Sequence, residues 1–261
     1  MVRDASVVAR RNMIRIRRVP DVMVFVLLQP LMFVLLFAYV FGGSIDIPGG
    51  SYREFLMAGI FTQTVVFGAT FTGSGLAEDL QKGVINRFRS LPMSRSAVVA
   101  GRTASDVVYN ALSVVVMSLA GLAVGWRIRG SVIDAVTAYL LLLFFAYAFS
   151  WVMACIGLLV STPEVVNNAS FMVLFPATFI ANTFVPSDNL PGALRTFAEW
   201  NPVSTLTHAV RQRFGNIPAG TPDPASWPLR NGLLYSMIWA VALIVVFAPV
   251  ATRLYRRAGS R

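Results

Sequence analysis

Six apolar stretches dominate this chain: residues 22–41, 55–77, 107–125, 133–160, 165–185 and 232–250. Each approaches or exceeds the roughly 20 residues that cross the hydrocarbon core of a bilayer. Backbone groups in lipid must be satisfied within the protein, so such runs predict helices. The balance of residues agrees, with 56% apolar against 13% charged, too few charges to clothe a water-soluble domain of this size. The expectation is an all-α integral membrane fold of six transmembrane helices. Residues 1–21 are expected to form a cytoplasmic amphipathic interfacial helix, 22–250 the six-span domain and 251–261 a basic cytoplasmic tail. The first eighteen residues are arginine-rich and lack an A-x-A cleavage site, so the first stretch is expected to be a retained span rather than a signal peptide.

The basic residues set the orientation. With an even number of spans both termini share one side, and that side collects fifteen of the 22 lysines and arginines. The positive-inside rule then makes it the cytoplasmic face of an inner (plasma) membrane. The net charge of +10 is thereby accounted for by topology and contact with anionic lipid, without nucleic acid. At about 100° per residue, Arg3, Arg10, Arg11, Arg15, Arg17 and Arg18 occupy one half of a helix and Ala5, Val8, Ala9, Met13 and Ile16 the other. That is the pattern of a helix lying among headgroups; a plain basic flank is the other reading.

Several chemistries find no residues here. The twelve acidic residues, the arginines and His208 all fall at span ends or in loops, so no intramembrane relay of the kind proton-driven pumps carry is expected. The sole lysine, Lys82, follows Gln81 and forms no Gly-Lys phosphate-binding loop. One histidine and one cysteine, Cys155, make no metal cluster or disulfide. No catalytic residue, metal or bound cofactor is therefore expected in this chain. The hydroxyls of Thr62, Thr64, Thr70, Thr72 and Ser74 in the second stretch either line a path or, as such groups more often do, bond helix carbonyls.

Two loops carry patterns of their own. Between the second and third stretches, Leu80, Val84, Phe88 and Leu91 form one helical stripe, opposed by Glu78, Lys82, Asn86 and Arg89. Glu78 and Lys82 are a favourable i,i+4 pair, and Pro92 ends the element. An amphipathic helix under the membrane suits docking of a soluble subunit; a solvated loop helix fits the pattern equally. In the external loop, Leu190, Leu194 and Phe197 lead to Trp200, Asn201-Pro202 interrupts, and Val203, Leu206, Val210 and Phe214 resume the helical spacing. Two short helices broken at Asn-Pro are expected, either as a re-entrant outer gate or as an interfacial cap anchored by Trp200 and Trp227.

Taken together, the chain resembles the permease subunit of type-2 ATP-binding-cassette (ABC) exporters, within them the daunorubicin-resistance-like permeases. The resemblance rests on three features: the basic N-terminal helix; the loop Glu78-Asp79 to Lys82-Gly83, Arg87, Arg89-Ser90-Leu91-Pro92 and Arg95; and Phe184-Val185-Pro186 followed by Leu190-Pro191 and Asn201-Pro202. It implies a permease dimer, homo- or heteromeric, with an ABC ATPase dimer that holds the ATP and magnesium. It implies that Glu78, Leu80, Lys82, Val84, Arg87, Phe88, Arg89 and Leu91 form the coupling helix seated in the ATPase. It further implies that Leu194, Phe197, Trp200, Asn201, Pro202 and Leu206 belong to a re-entrant outer gate, and that drugs, lipids or other amphipathic molecules are exported. Two other readings stay open on the residues alone: a stand-alone secondary transporter or channel, and a structural membrane protein that moves nothing.

Overall fold

The computed structural model describes residues 28, 30–41, 49–84, 95–160, 162–184, 190–218 and 220–258. The N-terminal amphipathic segment 1–21, the loop residues Arg87, Phe88, Arg89 and Leu91, and the end of the basic tail lie outside them. The described residues form helices and turns. Helix α1 (Pro30–Val40) widens into a π-turn over Phe37–Phe41. It is followed by α2 (Tyr52–Gly68), α3 (Thr70–Gln81), α4 (Arg95–Ala123), α5 (Val132–Leu159) and α6 (Pro163–Ile180). The chain ends with α7 (Gly192–Trp200), α8 (Pro202–Arg213), the short α9 (Trp227–Arg230) and α10 (Gly232–Ala258). Four stretches are long and apolar enough to cross a membrane: Tyr52–Gln81, Val98–Ala123, Val132–Leu159 and Gly232–Arg257.

Local chemistry accounts for the boundaries. Ser131 caps α5, its hydroxyl accepting from Asp134 N–H at 3.1 Å. Thr162 caps α6 in the same way with Pro163 in the first turn, a position where proline's missing donor is harmless. A break at 160–162 separates α5 from α6, with Ser161 within it outside the described residues. Between α2 and α3 the helix is interrupted at Ala69. There Thr70 Oγ1 donates to Phe67 O at 2.6 Å, a side-chain bond that competes with the backbone ladder and bends helices. Helix α4 begins at Arg95, twelve residues before the third apolar stretch; Thr103, Ser105 and Asp106 of its early turns are buried, so an apolar run does not mark its start.

The core is apolar, but the surface of α4 is apolar too. Val108, Leu112, Val115, Leu119 and Leu122 of α4 lie exposed in one stripe, while Asp106, Asn110 and Ser113 of the same helix are buried. Apolar residues therefore face the bilayer and polar ones face the protein, as a lipid solvent demands. Helix α5 is central, touching α2, α3, α4, α6, α8 and α10. Ion pairs between different elements lie at one end of the bundle, where Arg129 meets Glu54 and Arg213 meets Asp134. The other end holds a second apolar cluster of Leu76, Val98, Val99, Leu158, Ala251 and Tyr255.

Helices α3 and α5 cross with their backbones in contact, because both residues at the crossing are glycines. A methyl group at Gly157 would overlap the Gly73 carbonyl, and one at Gly73 would overlap Met153 O. Small residues at such crossings let membrane helices approach closely. Gly192, by contrast, has open space around it. Gly157→Leu is expected to destabilise the purified protein by ~1–3 kcal/mol through overpacking, read as a lowered thermal midpoint in detergent, whereas Gly192→Ala leaves the midpoint unchanged.

Candidate functional site

The residues expected to meet a partner lie at the end of α3. Glu78 and Lys82 form the ion pair expected from their spacing, at 2.6 Å, with the lysine side chain 64% exposed. The single long helix expected over 78–91 is not continuous. Helix α3 stops at Gln81, Lys82 N–H turns back to Glu78 O at 2.9 Å, and Gly83 N–H to Leu80 O at 3.0 Å. Gly83 adopts φ +65°, the left-handed C-terminal turn that glycine favours. Leu80 and Val84 therefore sit on opposite sides of a break. Leu80 packs on the second apolar cluster.

One turn higher, α3 is fastened to α4 by buried polar groups. Thr72 Oγ1 donates to Asp106 Oδ2, Arg102 Nε lies 3.8 Å from the same oxygen, and Arg102 Nη2 donates to Phe71 O at 3.0 Å. Gly75 makes room for this guanidinium, which its Cβ would otherwise overlap. Asp106 is 5% exposed and lies inside the apolar stretch Val98–Ala123. This corrects the expectation that every carboxylate sits at a span end. An acidic and a basic residue four apart on α4 neutralise each other inside the bundle, a signal present in the sequence but hidden by placing the span at 107–125. Thr62 and Ser74 bond their own helix carbonyls, as the milder reading of the hydroxyls has it. Thr64 does not: its Oγ1 is buried without a hydrogen-bond partner.

Thr64 lines a cleft of about 220 Å³ between α1, α2, α3 and α4. Pro30 and Phe33 form one wall, Gln63, Phe67 and Phe71 another, and Tyr109 and Ser113 close it. The Tyr109 hydroxyl is likewise buried without a partner.

At the charged end of the bundle, α7 and α8 form the expected pair of helices joined at Asn201-Pro202. Asn201 caps α8 by accepting from Val203 N–H at 2.9 Å, and its Nδ2 donates to Ala177 O at 2.8 Å. Asn201 and Leu206 are buried; Leu194, Phe197 and Trp200 are exposed. Helix α8 packs against α2, α5 and α10. Arg211, which the sequence places simply outside the spans, is 3% exposed. Its Nε donates to Phe55 O at 3.1 Å, its Nη2 to Asn182 O at 3.0 Å, and its guanidinium stacks 3.6 Å from the Phe55 ring centroid. His208 belongs to α8 rather than to a loop; burial, then the nearby Arg211 charge, holds its imidazole down to about 4, neutral at physiological pH. The arrangement binds helices to one another beside the cleft at Thr64 and Tyr109; among the described residues no cluster of potential metal ligands occurs.

An ABC-2 type transporter family model matches residues 4–214. The chain is 34% identical over 246 residues to the daunorubicin resistance ABC transporter permease protein DrrB1 of Streptomyces coeruleorubidus, covering 94% of this chain and 83% of that protein. It is 22% identical to the putative transport permease ycf38 of Porphyra purpurea, over 83% of this chain and 75% of the relative. Against ycf38 of Cyanophora paradoxa the identity is also 22%, over 98% and 89%.

The Arg102–Asp106 pair generates a stability test. Removing one member of a buried pair costs about 3–5 kcal/mol, whereas replacing both by apolar residues of similar volume is often neutral. Asp106→Leu alone is expected to lower resistance to denaturant by that amount, and Arg102→Met with Asp106→Leu to recover most of it, measured by unfolding of the purified protein in mixed micelles.

Proposed function

We propose a function from the premise that this chain belongs to the ABC-2 type transporter family. It is the membrane-spanning, non-catalytic permease of an ATP-driven ABC exporter that moves amphipathic molecules, drugs and lipids among them, as the name of the Streptomyces relative suggests. ATP and magnesium are held by a separate ABC ATPase dimer, and two permease chains, alike or different, form the pathway. Six spans, with the 22–41 and 165–185 segments joining the four long apolar helices, leave both termini in the cytoplasm of an inner-membrane protein.

In this reading the segment Glu78–Leu91 receives the ATPase, and α7–α8 is the re-entrant gate on the outer side. The observation that carries the reading is the fastening of α3 to α4 through Thr72, Asp106 and Arg102, immediately above the docking end. A push at Glu78–Lys82 moves α3 and α4 as one body, and the interruption at Ala69 allows that body to tilt against α2. Helix α2 in turn is held to α8 by Arg211 at Phe55. Closure of the ATPases is thereby converted into a rigid-body alternation of the membrane helices.

Leu80→Asp or Phe88→Asp is expected to leave membrane insertion and ATP hydrolysis by the assembled complex intact while reducing transport in inside-out vesicles at least ~10-fold, a barrier change of ~1.4 kcal/mol. Unchanged transport in both variants rejects the coupling assignment.

One observation favours a second reading, a secondary transporter. Asp106 is a carboxylate buried within a candidate span, and such groups mark proton paths. Its hydrogen bond from Thr72 and its ion pair with Arg102 favour a structural role. Liposomes holding this chain alone decide: uphill solute accumulation driven by a proton gradient and lost in Asp106→Asn establishes the secondary transporter, and its absence removes it.

A further inference from the structure

We propose that α7, α9 and the first turns of α10 form one docking surface for the headgroup and glycerol region of the outer leaflet, with α7 lying in the membrane plane; the inference rests on the orientation given under the proposed function and names what the outer helix of the α7–α8 pair touches. Of the chain's five tryptophans, Trp126 and Trp151 are buried, 0% and 6% exposed. The other three, Trp200, Trp227 and Trp239, are 54%, 50% and 37% exposed, and they reach one tyrosine from three different helices. Tyr235 meets Trp200 at 6.4 Å between ring centroids, Trp227 at 6.0 Å and Trp239 at 6.4 Å, each edge-on. Its hydroxyl donates to Trp200 O at 3.0 Å, which ties α10 to the end of α7. The patch is built into the fold.

Three observations make the occupant a bilayer surface rather than a second copy of the chain. The first is a change of composition with depth along α10. No charged residue lies between Arg230 and Arg253, and about 20 residues cross the hydrocarbon core, so counting back from Arg253 puts the outer boundary near Leu233. Below it the exposed side chains are aliphatic, Ile238, Val241, Val245 and Val246 among them. At it stand Trp200, Trp227, Tyr235 and the exposed Arg230, with Trp239 one turn, about 6 Å, deeper than Tyr235. Rings with a polar edge and a cation on a long stem are what the headgroup level selects; contact with another protein imposes no such order. The second is the one-sidedness of α7. At about 100° per residue, Leu194, Phe197 and Trp200 share a face and all are exposed, while Arg195 and Glu199 pair at 2.8 Å on the opposite face. A helix of this kind sinks its apolar face roughly 5–10 Å into the boundary between headgroups and chains. The third is how the two helices of the pair are held. The end of α8 is clasped by the loop before α5: Phe214 O accepts from Arg129 and Gly130 N–H at 2.8 and 3.0 Å, and Asn216 accepts from Trp126 Nε1 at 2.8 Å and donates to Arg127 O at 2.9 Å. Helix α7 buries only Ala198, so the leaflet supplies the support that protein packing does not.

The test uses the full chain in phosphatidylethanolamine–phosphatidylglycerol nanodiscs, without ATPase or ATP. Tryptophan fluorescence is quenched in turn by a phospholipid carrying a nitroxide on its headgroup, by one carrying it near the end of an acyl chain, and by aqueous iodide. The headgroup label is expected to quench most strongly. Trp200→Phe combined with Trp227→Phe is expected to remove most of that quenching, the buried Trp126 and Trp151 being out of reach. Leu194→Gln combined with Phe197→Gln, which leaves the indoles in place but makes the α7 face polar, is expected to lose the Trp200 share of headgroup quenching, raise quenching by iodide and keep the Trp227 share. Stronger quenching by the acyl-end label overturns the proposal, since the patch would then lie deep in the hydrocarbon. Quenching by iodide alone overturns it by placing the patch in water, and quenching by none of the three by showing it covered by protein. Headgroup quenching unchanged in the double phenylalanine variant overturns it too. The unmodified chain is decisive even if a variant fails to fold. Nanodiscs expose both leaflets alike and hold no ATPase, so a negative result leaves orientation and coupling standing, and failed coupling in Leu80→Asp leaves the quenching result intact.

Discussion

Everything in this bundle is subordinate to one requirement: a polar group drawn into an apolar solvent must find its partner inside the protein. The third-span helix α4 shows how the requirement is met. Its outward stripe is aliphatic, and its inward row runs through Arg102, Asp106, Asn110 and Ser113. The same groups that would be costly in lipid become the fasteners between helices. Asp106 draws Thr72 from α3, Arg102 reaches back to the Phe71 carbonyl, and Asn110 donates to its own helix at Asp106 O. Association of helices has little hydrophobic help within a membrane, so a few such bonds decide which helices move together.

The same logic holds the α7–α8 pair. Arg211 captures two backbone carbonyls, on Phe55 and Asn182, and an aromatic face. Around it, Asn201 reaches Ala177 O, and Ser204 Oγ accepts from Asn182 N–H at 3.2 Å. Tyr52 donates its hydroxyl to Phe184 O at 3.2 Å. Residues 177–184, where α6 unwinds, are therefore held from the α2 side and the α8 side at once. The irregular backbone of 181–184 is covered by protein.

Much of the architecture was legible in the sequence, for identifiable reasons. The apolar run that becomes α5 is apolar all round, and Asn201-Pro202 interrupts the external helices where the break was expected; the caps by Ser131, Thr162 and Asn201 are findings of the structure. What escaped were features created by neighbours. An apolar window could not begin α4 at Arg95, because the polar turns from Arg102 to Asp106 are solvated by α3 rather than by water. The stripe from Leu80 to Leu91 reads as one helix until the left-handed turn at Gly83 breaks it, and a lone glycine is compatible with either outcome. Arg211 counts as an external charge in any tally, since its carbonyl partners lie 156 and 29 residues away along the chain. The four-residue spacing of Phe171, Phe175 and Phe179 on α6 is visible in the sequence, while the contacts from Phe179 to Phe184 and on to Phe37 exist only in three dimensions.

The glycine crossing of α3 and α5 has a mechanical corollary. Where Gly73 faces Gly157 no side chain intervenes, so there is nothing compressible between the two backbones and no rotamer to yield. The rods can swivel about that point but cannot separate or slide without breaking contact. The crossing is a fulcrum. The two ends of α3, at Gln81 and at Thr70, lie on opposite sides of this point, so any change of its tilt against α5 carries them in opposite directions.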